Sequence, residues 1–172
     1  YNGFKVRHVM NLTDVGHLTE YDVEEQMRKR GKGKGTVWEI ADFYAEDFFK
    51  AMARLNVLKP DIVCRASDHI KEQILLIERL KLNGFAYKIE DGIYFDISRF
   101  PQYGELARLK LDGQEAGARV DINLKKKSPY DFALWKFTKP EEKKAMEWDS
   151  PWGRGVPGWH IECSAMSMKY LG

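Results

Sequence analysis

A chain of 172 residues that is 44% hydrophobic and 31% charged is long enough to bury a core of its own. Its 28 basic residues stand against 26 acidic ones, a net charge of +2, so no overall field points to a nucleic acid. No apolar run approaches the roughly 18 residues of a membrane span and no signal peptide opens the chain, so we expect a cytoplasmic protein. Cys64 and Cys163 form neither a C-x-x-C pair nor a disulfide framework and are read as free thiols.

Phe4 to Leu12 alternates as a strand does, with Phe4, Val6, His8, Met10 and Leu12 on one face and Lys5, Arg7, Val9 and Asn11 on the other. Asn11, Thr13 and Asp14 fall where that strand gives way to a loop. In open α/β sheets ligands bind beyond the carboxyl ends of strands, so Thr13 and Asp14 either reach a small polar ligand or cap the helix that follows. His17 reads as a surface or hydrogen-bonded structural residue. Glu24 to Lys34 is charged and runs into Gly31-Lys32-Gly33-Lys34-Gly35. Without a preceding strand or a following Gly-Lys-Ser/Thr this is no P-loop, and a mobile basic loop is the better account.

Thr36-Val37-Trp38-Glu39 is a capping box that opens a helix over 36–55, with Val37, Ile40, Ala41, Tyr44, Phe48, Met52 and Leu55 as its inner stripe. Ser67 starts a second helix, 67–84, that buries Ile70, Ile74, Ile77 and either Leu80 or Lys81 and stops at Asn83-Gly84. On its first turn, His69 is more readily a capping or core residue than a functional one. Residues 85–97 form a hairpin turning at Asp91-Gly92. From Gly104 to Tyr130 we expect an extended surface segment whose Lys125-Lys126-Lys127 is a solvated face, with nucleic-acid contact the weaker reading. Phe132 to Phe137 is a buried strand.

At the C-terminal end, Pro157-Gly158 marks a turn before a helix. Trp159, Cys163, Met166 and Tyr170 recur at three- and four-residue steps on that helix, so one face carries a thiol a turn above an indole. Blandly, these are core residues, because free Cys is among the most buried types. Chemically, a thiolate is a soft zinc ligand, and an indole walls a small pocket with an apolar face and one N–H donor. Trp148, Trp152 and Trp159 crowd round turns, which suits either enclosing a ligand or packing a loop down.

Gly155-Val156-Pro157-Gly158-Trp159-His160-Ile161-Glu162-Cys163-Ser164-Ala165-Met166 resembles the G-x-x-x-P-G-W-H-I-E-C-S-A-M signature of the cysteinyl-tRNA synthetase family, class I enzymes that join cysteine to tRNA. Other stretches resemble that family in family order. These are Val9 to Val15, Arg65-Ala66-Ser67-Asp68-His69-Ile70, Ile93-Tyr94-Phe95-Asp96, Phe100-Pro101-Gln102-Tyr103-Gly104, Asp131 to Lys136 and Trp148 to Gly153. The stretch Val15-Gly16-His17 departs from the family's commoner Asp-Asp.

The resemblance implies an α/β fold, part of a class I synthetase Rossmann-like nucleotide-binding domain with an inserted α+β connective subdomain. It places the end of the first Rossmann half at 1–20, the insertion at 21–150 and the start of the second half at 151–172. It also implies ATP-dependent activation of cysteine, with Mg2+, and transfer to tRNA(Cys), with Thr13 and Trp159 in the cysteine pocket and Cys163 as a Zn2+ ligand. The family's other ligands, its H-I-G-H sequence and its K-M-S-K-S loop have no counterpart here. We therefore expect an internal fragment of a catalytic domain, with no catalytic residue, no complete zinc or ATP site and no activity alone. A cysteine ligase of mycothiol biosynthesis and a non-catalytic module remain alternatives. Oligomeric state is not readable.

Overall fold

The computed structural model describes residues 2–15, 36–106, 108, 125–139, 141–142 and 144–172. His17, the glycine–lysine loop and most of the extended segment expected over 104–130 lie outside the described residues.

The first strand, β1 (Val9–Leu12), is shorter than its alternation suggests. Phe4 and Val6 are exposed because the ladder begins only where a partner strand does. That partner is β2 (Ile62–Arg65), parallel to β1 with Val9 opposite Ile62 and Leu12 opposite Arg65. Parallel neighbours need a long crossover, and helix α1 (Val37–Arg54) lies within it. Its capping box forms as expected: the Glu39 N–H donates to Thr36 Oγ1 at 3.3 Å, and the Glu39 carboxylate accepts the Thr36 N–H at 2.8 Å.

The expected inner stripe of α1 is only partly covered. Val37 and Ile40 are buried against Met146, whereas Tyr44 is 57% and Leu55 74% exposed. Farther along, Phe49 and Ala53 face Val63 of β2 across an open groove. Periodicity gives a helix its apolar face but not the element that covers it.

After β2 comes a 3-10 turn, Ser67–His69, and then α2 (Ile70–Leu82), ending at Asn83 and Gly84. The expected Ile70 and Ile77 are buried, and so is Gln73, whose amide donates to the Ala66 carbonyl at 2.8 Å. Strands β3 (Ala86–Ile89) and β4 (Gly92–Phe95) make the hairpin. Ile89 pairs with Gly92, so Glu90 and Asp91 form the turn and Gly92 opens the second strand. The glycine serves close packing: a Cβ there would stand 2.3 Å from the Trp135 carbonyl oxygen.

A second 3-10 turn, Ile97–Arg99, follows. β5 (Phe132–Phe137) falls where expected, and β6 (Gly155–Pro157) completes an antiparallel sheet of order β3-β4-β5-β6. Pro157, expected in a turn, pairs with Trp135 from the edge strand, where its missing N–H does no harm. The three lysines before β5 are tied down by the protein itself. Lys125 pairs with Glu90, Lys126 donates to the Pro129 and Asp131 carbonyls, and Lys127 pairs with Asp96 at 2.8 Å.

The last helix, α3 (Trp159–Leu171), joins the two sheets. Ile161 packs with Ile70, Ile77, Ile93, Leu134 and Trp135, while Met166 packs with Cys64 and Ala66 behind the parallel pair. Each fully buried Ile or Leu of this kind contributes about 1.5–3 kcal/mol. Among the described residues the fold is thus mixed α/β, with one parallel and one antiparallel sheet, and α3 is the strut between them.

Candidate functional site

The first turn of α3 is fixed by β5. Gly158 caps the helix, its N–H donates to the Leu134 carbonyl at 2.9 Å, and a Cβ on it would lie 2.0 Å from the Ala133 carbonyl oxygen. Trp159, the next residue, is 62% exposed, with its ring centroid 4.6 Å from that of His160. His160 in turn lies 4.7 Å from the Phe132 ring, so the indole is propped from below.

One turn on, Cys163 is also exposed, beside the carboxyl end of β1. Its sulfur accepts an N–H from the Asn11 side-chain amide at 3.3 Å. The thiol therefore looks onto the strand end and is not packed into hydrocarbon. The four residues expected on one face divide: Trp159 and Cys163 face outward, Met166 is buried and Tyr170 half-buried. Met166 and Tyr170 pack against Cys64 and Ala66, whereas Cys163 meets the carboxyl end of β1 through Asn11.

Thr13 is exposed immediately past β1. Neither Thr13 nor Trp159 hydrogen-bonds to Cys163 among the described residues; only Asn11 does. Asp14 caps the turn after β2, and the helix expected after β1 lies outside the described residues. Its carboxylate accepts the Ser67 N–H at 3.0 Å and the Ser67 hydroxyl at 2.6 Å. Arg65 stands 3.7 Å from Asp14 and pairs with Asp42 at 2.6 Å.

Glu162 is 2% exposed and close enough to Asp14 to feel its charge. Burial, reinforced by that neighbour, pushes its carboxyl up to about 8, so it keeps its proton at neutral pH. Its Oε2 has no hydrogen-bond partner among the described residues. His69 is structural: Nδ1 lies 2.6 Å from the Arg65 carbonyl and Nε2 2.9 Å from the Tyr170 hydroxyl. Cys64 lies buried behind the site, its thiol pushed up by desolvation and by Cys163.

For a metal, the described residues offer one accessible sulfur, Cys163, and no cluster of three or more His, Cys, Asp or Glu side chains able to hold an ion. Two residues of the site escaped the sequence. Asn11 shows only as a polar residue at a strand end, and nothing in the sequence marks Glu162 as buried. Of the three crowded tryptophans, Trp148 packs edge-on to Trp38 and Trp152 edge-on to Trp135. Trp159 is exposed, whereas Trp148 and Trp152 are half-buried.

Comparison with known proteins gives the same direction. The family model described as tRNA synthetases class I (C) catalytic domain matches residues 1–172. The chain is 55% identical to a cysteine–tRNA ligase of Treponema denticola, over 99% of this chain and 35% of that protein. It is 55% identical to cysteine–tRNA ligase 1 of Burkholderia lata, over 99% of this chain and 37% of the relative. A cysteine–tRNA ligase of Thermus thermophilus is 49% identical over 100% of this chain and 36% of its own length. The chain spans about a third of the length of these curated relatives.

Proposed function

This chain belongs to the tRNA synthetase class I (C) catalytic-domain family, and from that premise we propose that it is the middle of an enzyme that activates cysteine with ATP and Mg2+ and transfers it to tRNA(Cys). Residues 1–20 end the first nucleotide-fold half, 21–150 form the connective insertion and 151–172 open the second half. β2 returns from the insertion span to pair with β1. The carrying observation is the exposed Cys163 sulfur, held by Asn11 at the carboxyl end of β1, where open α/β sheets take ligands.

Within this reading Cys163 holds a zinc ion with ligands contributed by other segments of the enzyme. An exposed thiol whose only side-chain partner among the described residues is an N–H donor suits that role, because a ligating thiolate accepts hydrogen bonds and donates none. When bound, zinc prefers soft sulfur to oxygen and so distinguishes cysteine from serine, near-isosteres that an apolar pocket separates by only about 10²-fold. Trp159 supplies an indole wall one turn from the sulfur, and Thr13 offers a hydroxyl at the strand end. Glu162, neutral by burial, adds no negative charge beside the thiol at pH 7.

The 172-residue chain alone is inactive on this proposal, since it contributes one sulfur ligand. The enzyme acts in the cytoplasm; among the described residues no helix is long and apolar enough to cross a membrane. The test is cysteine-dependent ATP–pyrophosphate exchange by the parent enzyme, followed by product analysis with tRNA(Cys) and with an amino sugar as acceptors. Exchange with cysteine and charging of tRNA supports the proposal. Exchange with transfer only to the sugar, or no cysteine-dependent exchange, defeats it.

A further inference from the structure

The contact between Asn11 and Cys163 joins two side chains 152 positions apart. Both ends are rigid. Asn11 sits in the parallel ladder opposite Cys64, and Cys163 rises from a helix anchored on one side by Gly158 and on the other by buried Met166. A donor carried on a strand therefore meets a sulfur carried on a helix at 3.3 Å, with neither backbone free to drift.

We infer that Asn11 is a positioning residue that donates its amide N–H to the Cys163 sulfur, fixing the side chain's direction and drawing off part of the sulfur's charge. A thiolate accepts only, so the amide presents its nitrogen and not its oxygen. Outer partners of this kind orient a ligand and tune its electron density, and their loss typically weakens metal retention about 10- to 100-fold. The inference rests on the reading of Cys163 as a metal ligand. If that holds, loss of the N–H leaves a more electron-rich and less constrained sulfur, whose charge-transfer transition to a metal moves to lower energy.

The experiment uses the full-length enzyme loaded with cobalt(II) in place of zinc. It reads the sulfur-to-cobalt charge-transfer band and the rate of metal loss to a chelator in wild type, Cys163→Ser, Asn11→Ala and Asn11→Asp. Asn11 is exposed, so its variants are expected to fold, with circular dichroism as the check. Cys163→Ser is expected to weaken the band. Asn11→Ala should keep its intensity, shift it to lower energy and release metal about tenfold faster. Asn11→Asp, which places a carboxylate against the sulfur, should release metal faster still. A weakened band in Cys163→Ser together with wild-type band position and metal loss in both Asn11 variants overturns the role of Asn11. An unaltered band in Cys163→Ser overturns the reading of Cys163 itself.

Discussion

A Cβ placed on Gly158 would stand 2.0 Å from the carbonyl oxygen of Ala133, a separation that real atoms do not tolerate. The start of α3 is thus set by the backbone of β5, and with it the height of Trp159 and Cys163 above the sheet. Gly158→Ala must push the helix away from β5. Overpacking of this order costs about 1–3 kcal/mol, added to the loss of up to about 1 kcal/mol that exchanging a favoured N-cap glycine for alanine brings. A lowered denaturation midpoint, together with a raised KM for cysteine in the parent enzyme, is expected. An unchanged midpoint would mean that the close approach does not hold the helix.

Cys163 and Trp159 are exposed, so their replacement should leave stability within about 0.5 kcal/mol of wild type. In the parent enzyme Cys163→Ser is expected to abolish cysteine-dependent pyrophosphate exchange, because a hydroxyl is a poor substitute for a soft ligand. Trp159→Ala should raise KM for cysteine and leave tRNA affinity in place. Exchange surviving Cys163→Ser at more than a small fraction, or a tRNA defect alone in Trp159→Ala, would contradict the placement of these residues.

Local signals carried much of the fold into the sequence. Thr36 and Glu39 announce their capping box, and the apolar run from Phe132 to Phe137 announces β5, because both depend on near neighbours. What could not be read depends on distance. Nothing in residues 9–15 says that Asn11 will meet Cys163, or that Asp14 will cap the turn at Ser67 on the far side of α1. Pro157-Gly158 spells a turn, and only the ladder of β5 turns the preceding residues into an edge strand. Nothing local marks Glu162 as buried, because sequence shows its polarity and not its burial.

The carboxylate of Asp96 is buried, accepts from Lys127 Nζ at 2.8 Å and from the Ser98 hydroxyl, and is held below the ordinary 3.8 by those two donors, Lys127 first. The unfolded chain therefore takes up this proton more readily than the folded one. Its stabilising contribution is present above the unfolded value and lost as pH falls through the folded value. Asp96→Asn should flatten the decline of the urea midpoint below about pH 5, and Lys127→Met should lower stability at pH 7. An acid limb of unchanged slope in Asp96→Asn would assign that decline to other carboxylates.

His69 and Tyr170 tie the first turn after β2 to the last turn of α3. A carbonyl can only accept, so the Arg65 carbonyl at 2.6 Å fixes the hydrogen on Nδ1. In the neutral ring Nε2 then accepts from the Tyr170 hydroxyl at 2.9 Å. Tyr170→Phe strands a buried acceptor and should destabilise by about 1–3 kcal/mol. Because the loss runs through one bond, a double-mutant cycle with His69→Leu should return a coupling of about 0.5 kcal/mol or more. Cysteine activation per folded enzyme should be unchanged in Tyr170→Phe. A fall in activation at wild-type stability would instead place His69 in the chemistry, and additive losses in the cycle would show that the two side chains do not act through their shared hydrogen bond.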